Sequence, residues 1–246
     1  MKYYYKLLLS KSESEKLNYL ILFFSILFAL LVIVPAFLNG KFIFYPLVKN
    51  GDVLDLLTPF VLIPLYWKLF EASPKNRPSR QETLIFILLA VFWVQGQGMH
   101  LAANSIGHLT KDLAETNKIK VLTHFYDEIL SHYWWDCGLI GLSAFLIYRH
   151  WQYLKRDRAL KFTLPVIAGI IHGFTYFVGI IESGTTSIGV PFAVVVAFVL
   201  FWRRRNIKRQ PMLVFYLVTY LVACLFFLGW GIYHGGLPEF SEVGII

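Results

Sequence analysis

Apolar residues in this chain come in long runs, not in the short alternations of half-buried strands. A helix that crosses a bilayer needs about 20 mostly apolar residues. Seven segments approach that length, at 18–38, 53–70, 83–106, 122–148, 162–181, 188–202 and 211–233. The sixth is the shortest, and Gly189 and Pro191 near its start predict a bend. The pattern predicts an all-α protein, a polytopic membrane helical bundle with seven transmembrane helices.

The basic residues orient the bundle. Of the 23 Lys and Arg residues, 18 fall in the N-terminal tail and in the regions 68–80, 149–161 and 203–209. Cytoplasmic loops retain such residues during insertion. Seven spans put all four regions on one side, with the N-terminus cytoplasmic, residues 1–17 as a cytoplasmic tail and the C-terminus extracytoplasmic. The first apolar run is too long for a signal-peptide core and no small-x-small cleavage site follows it, so it reads as a retained span. No internal repeat or long linker divides the chain, so residues 1–246 read as a single seven-helix transmembrane domain of a cell membrane.

Composition agrees with the pattern. Hydrophobic residues make up 57% and charged residues 15%, with a mean hydropathy of +0.58, whereas soluble domains carry about a quarter charged residues. The net charge of +8 lies in short clusters between the apolar runs, which argues against nucleic acid as a partner. Cys137 and Cys224 both sit inside apolar runs, so neither a disulfide framework nor a cysteine metal knuckle is available.

Charged and strongly polar side chains inside a span cost about 2.5–3.5 kcal/mol each on insertion scales, so each is a functional candidate. In the third span Gln97, His100 and Asn104 share one helical face, and His108 continues it. In the fourth, His124, Glu128, His132 and Asp136 recur every four residues, with Asp127 and Ser131 in a second row. The fifth carries His172 and Tyr176, and ends near Glu182. The topology puts His100, Asn104, Asp127, Glu128 and His132 in the outer half of the membrane. The third and fourth spans are expected to be antiparallel neighbours with facing stripes. Gly169 and Gly173, four apart, predict close approach of another helix.

These residues suggest His100, His132, His172 and Glu128 as metal ligands, with Asp127, Glu128, Asn104 and Ser131 as catalytic groups. Each also has a plainer role open to it. His100 and His172 suit hydrogen-bonded bundle positions, Glu128 and His132 a helix-joining ion pair, Asp127 a helix cap, and Glu182 an interfacial carboxylate. His234 reads as a span terminus. The aromatic group Phe125, Tyr126, Tyr133, Trp134 and Trp135 suits an interfacial belt.

Zinc with three protein ligands lowers the pKa of its water to about 7, and a neighbouring carboxylate can take the proton. Asn104 or Ser131 would donate to the oxyanion. The expected function is therefore a zinc-dependent hydrolase of a lipid ester or amide, with membrane lipids and a lipid or small apolar substrate as partners. In span number, and in combining three histidines with an aspartate and a serine, the chain is similar to the seven-span ceramidase and adiponectin-receptor-like hydrolases. Their H-x-x-x-H pair near the last span has no counterpart at His234, so no residue is carried over from them. An iron or copper oxidase or hydroxylase is a second expectation, although the repeated histidine boxes of membrane desaturases are missing. A non-catalytic transporter, proton pathway or receptor is the third.

Overall fold

The computed structural model describes residues 2–73, 77–151, 162–207 and 210–245, with side chains for all of these except 2–14 and 206. Most of the basic 149–161 region, with Lys75, Lys208 and Arg209, lies outside the described residues. The helices are α1 (Lys2–Ile33), α2 (Asn50–Glu71), α3 (Arg80–Thr110), α4 (Lys118–His124), α5 (His132–Trp151), α6 (Thr163–Glu182), α7 (Thr186–Trp202), α8 (Arg204–Ile207) and α9 (Pro211–His234). A 3-10 turn, Val34–Phe37, follows α1, and a π-helical segment, Phe125–Ser131, joins α4 to α5. No strand forms among the described residues; one antiparallel bridge pairs Lys41 with Lys49 across the loop before α2. The expected tail is helical from Lys2 onward.

Five helical stretches among the described residues are long and apolar enough to cross a membrane: Glu15–Phe37, Asn50–Glu71, Arg80–Thr110, Thr163–Glu182 and Pro211–His234. α7 is as apolar but only 17 residues long. The expected fourth span differs most, because three helical pieces replace one continuous helix. Large apolar side chains cover the outside of the bundle, among them Phe60 at 73% exposed, Phe198 at 63% and Leu225 at 69%. Such a surface is a liability in water and suits a multi-pass membrane protein.

Lipid tails are as apolar as leucine, so burial of apolar side chains does little to hold such helices together, and close contact comes from small residues. Gly96 of α3 rests against the backbone of Ser131 and Trp135, and Gly138 of α5 against the backbone of Leu89 and Trp93. These two contacts bring α3 and α5 backbone to backbone. Gly169 and Gly173 of α6 pack in the same way against Phe215 and Thr219 of α9. A Cβ at any of the four positions would run into main chain. Between these pairs the core is aromatic, with Phe24, Tyr66, Trp93, Tyr216 and Tyr220 all fully buried.

Helix ends are set by ordinary capping chemistry. Ser79 Oγ accepts from the Glu82 amide at 3.2 Å, and Glu82 Oε2 accepts from the Ser79 amide at 2.8 Å, the reciprocal box that starts α3. Asn117 caps α4 through the Ile119 amide at 2.9 Å. Gly235, at φ 69°, closes α9 in the left-handed region that glycine enters without strain.

The end of the bundle where α2 stops, α3 starts and α5 stops holds a buried ion pair. Arg149 Nη1 lies 2.9 Å from Glu82 Oε1, with the arginine side chain wholly enclosed. Its Nε donates to the Phe70 carbonyl at 2.9 Å, and the guanidinium lies 4.4 Å from the centre of the Phe70 ring. Beside it His150 Nε2 reaches the Leu69 carbonyl at 3.3 Å. Arg149 and His150, the first residues of the expected basic loop, are therefore buried in the bundle.

Candidate functional site

The site begins with the π-helical turn. Residues 125–131 close wider rings than an α-helix does, a feature that is rare and often found where function resides. The Ser131 hydroxyl donates back to the Asp127 carbonyl within it. Rows read at four-residue spacing for a straight helix do not survive this widening. Asp127 and His132, five apart, both meet His100 of α3, while Glu128, four before His132, is largely exposed.

His100 Nδ1 lies 2.9 Å from Asp127 Oδ1 and 3.2 Å from His132 Nε2. The other nitrogen of His132, Nδ1, is 3.0 Å from the Ser183 carbonyl. A carbonyl can only accept, so Nδ1 of His132 carries the proton and its Nε2 turns a lone pair toward His100. His100 Nδ1 then donates to His132 Nε2 and lies against the Asp127 carboxylate. Glu128 Oε2 stands 3.8 Å from His132 Nδ1, beyond hydrogen-bonding range.

Around this row the polar groups hold one another in place. Asn104 Nδ2 donates to Asp52 Oδ1 at 3.5 Å. Gln97 Nε2 donates at 2.8 Å to both the carbonyl and Oδ1 of Asp55, and Gln97 Oε1 accepts from Trp93 Nε1 at 2.9 Å. Asp136 Oδ2 accepts from Ser183 Oγ at 2.8 Å and from Thr185 Oγ1 at 2.5 Å. The turn 183–185, with Gly184 at φ 64°, thus supplies a carbonyl to His132 and two hydroxyls to Asp136. Glu182 Oε2 accepts from the Phe240 amide at 3.1 Å, which ties the C-terminal segment to the rim.

A cavity of about 1460 Å³ opens on these groups. His100, Asn104, Glu128, His132 and Asp136 line one part of it, and Phe174, Phe177 and Phe226 another. Asp127 and Ser131 are buried and do not line it. Neither does His172, which sits in a box of rings from Phe24, Phe28 and Phe215 at centroid distances of 5.4, 4.4 and 5.2 Å. Glu239 lines the cavity outside the helices; burial first, then the nearby Glu128 and Glu242, push its carboxyl above the usual range.

The structure therefore brings His100, Asp127 and His132 into contact, sets Glu128 and Asn104 on the adjoining wall, and holds His172 apart. Sequence reasoning gave no role to Asp52, Asp55, Asp136, Ser183 or Thr185. The adjacent hydroxyls in E-S-G-T-T, one turn-forming glycine between them, were the available signal for the last two. Among the described residues no three His, Cys, Asp or Glu side chains form a group ready to hold a metal ion. The three at the centre form a row, Asp127 against His100 and His100 against His132. Comparison of the chain with protein-family models, curated proteins and solved structures gives no match.

Proposed function

We propose that the chain is a seven-span membrane enzyme that hydrolyses a lipid ester or amide, using one zinc ion held by His100, His132 and Asp127. Five helices are long and apolar enough to cross a membrane, and in this reading the 118–151 stretch and α7 are two further crossings. The distribution of Lys and Arg puts the N-terminus in the cytoplasm and the cavity toward the outer face.

One observation carries the metal reading: the tautomer of His132. Metal-binding histidines nearly always donate their second N–H to a carbonyl or carboxylate, which aims the other nitrogen's lone pair at the ion. His132 does this with Ser183. If the proton leaves His100 Nδ1, three acceptors face one another. The two imidazole nitrogens lie 3.2 Å apart and, with Asp127 beside His100, would hold the ion.

When bound, the ion would supply a water acidic enough to ionise near neutral pH. Glu128, on the cavity wall beside His132, would serve as the general base for that water. Asn104, held by Asp52, offers its amide N–H to the oxygen that becomes negative. Asp136 fixes the 183–185 turn through its two hydroxyls and thereby the carbonyl that orients His132. The apolar wall seats the chain of the substrate.

His100 and His132 already bond to each other without a metal, and that favours a second reading, a non-catalytic protein that binds a solute or passes protons. Elemental analysis of detergent-purified protein separates the two. About one zinc per chain, lost in both His100→Ala and His132→Ala together with lipid ester or amide hydrolysis, supports the enzyme. Iron or copper in its place moves the reading to oxidative chemistry. Wild-type protein that stays metal-free when offered zinc overturns both enzyme readings.

A further inference from the structure

Acidic and basic residues are divided unevenly over this molecule. The chain has 15 Asp and Glu against 23 Lys and Arg. Seven of those acids line the 1460 Å³ cavity, with Lys49 the one Lys or Arg among its lining residues. Asp52 and Asp55 come from α2, Glu128 from the π-helical segment, Glu182 from α6 and Glu239 from the C-terminal segment. Separate elements in a basic protein thus send carboxylates to one space.

Much of the remaining lining is apolar. Phe174, Phe177 and Val178 of α6 face the cavity with Leu225 and Phe226 of α9. Phe174, Leu225 and Phe226 are 41%, 69% and 42% exposed, so this part of the lining is open and not packed over. The cavity is larger than the roughly 300–1,000 Å³ of pockets for drug-sized ligands, which leaves room for a long chain. A unit charge a few ångströms from an acidic wall in a medium of intermediate dielectric is worth kilocalories, attractive for a cation and repulsive for an anion.

We infer that the cavity takes a long-chain amphiphile with a cationic head, a primary amine or quaternary ammonium, and excludes chains ending in carboxylate or phosphate. As a statement of substrate class this rests on the lipid-hydrolase reading; as a statement of binding it does not.

The test uses two probes of equal length, bromine-labelled on the chain: a hexadecyl quaternary ammonium and a hexadecanoate. Each is titrated at low mole fraction into protein in nonionic micelles, with quenching of tryptophan fluorescence as the readout, since Trp135 and Trp230 line the cavity. The expected result is saturable quenching with the cation bound at least about tenfold tighter than the anion. Asp52→Asn with Glu182→Gln should cut that preference to about threefold or less. Phe226→Ala should weaken both probes together. His132→Ala, which removes the proposed metal site, should keep the preference, so failure of the hydrolase reading and failure of this one give different results. Equal binding of the two probes, no saturable quenching by either, or full competition by tetramethylammonium without a tail would each overturn the inference.

Discussion

The same two helices, α3 and α5, with the π-helical segment that leads into α5, carry two buried polar clusters of opposite character. Glu82 and Arg149 meet at one end; His100, Asp127 and His132 meet 18 residues further along α3, about 27 Å away at 1.5 Å per residue. The first cluster is a closed knot: one carboxylate, a carbonyl and an aromatic face enclose one guanidinium. The second is made of groups that titrate or accept, and it borders a cavity of about 1460 Å³. Burying polar groups is costly in both places. The difference lies in what offsets the cost, internal pairing in the knot and, in the proposed reading, a ligand at the other cluster.

Removing one partner from the knot should therefore do the greatest damage. Arg149→Met leaves Glu82 buried beside an apolar side chain, and loss of one member of a buried pair costs about 3–5 kcal/mol. Melting in detergent should fall sharply, whereas His132→Ala should melt within a few degrees of wild type while losing metal and hydrolysis. Equal losses of stability would show that the two clusters play the same role.

Glu128→Gln should leave metal content intact and lower kcat by about 10²- to 10⁴-fold, the range for loss of a general base. Asp127→Asn should instead weaken zinc retention against a chelator by about 10- to 100-fold. If both variants lose only rate, Asp127 is not a ligand.

Gly96→Ala probes the seam itself. Its Cβ would press on the Ser131 carbonyl and Trp135 backbone, and overpacking of this kind costs about 1–3 kcal/mol. Metal retention and melting temperature should drop together, because the contact that fixes α3 against the π-helical segment also sets the His100 to His132 distance.

Glu239→Gln should have the mildest effect. Its raised pKa means that ionisation opposes the folded state. The cost is present above the folded pKa and vanishes as pH falls below the unfolded value near 4.3. Because Glu239 is partly exposed and solvent screens its charge, the variant should gain no more than about 2 °C in melting temperature at pH 8 and nothing at pH 3.5. Equal shifts at both pH values would assign the effect to packing instead.

The long apolar runs of α1, α2, α3, α6 and α9 were legible because hydropathy needs no partner to be seen. The G-x-x-x-G of α6 was legible for a similar reason, since a small residue advertises close approach without naming the neighbour. Polar residues inside spans pointed to His100, Asp127, Glu128 and His132, but the same rule pointed equally to His172. A sequence displays a polar side chain and conceals whether it meets another or a box of phenylalanines. Asp52 and Asp55 were passed over because they stand at the edge of an apolar run, where a carboxylate looks interfacial. Their roles depend on Gln97 and Asn104, more than 40 positions away. Sequence reading also wound 122–148 as one α-helix, and nothing in the local residue types announced the wider turn.

That wider turn changes how kindred sites would be spelled. In a regular helix a carboxylate and a histidine facing one neighbour stand three or four apart, and motif searches assume as much. Across residues 125–131 the spelling lengthens by one, so the pair that meets His100 reads D-x-x-x-x-H, with the more conspicuous E-x-x-x-H lying across it in the same letters. Chains that share this chemistry are to be sought by that five-residue step, paired with a glycine four before the facing histidine, as Gly96 stands before His100.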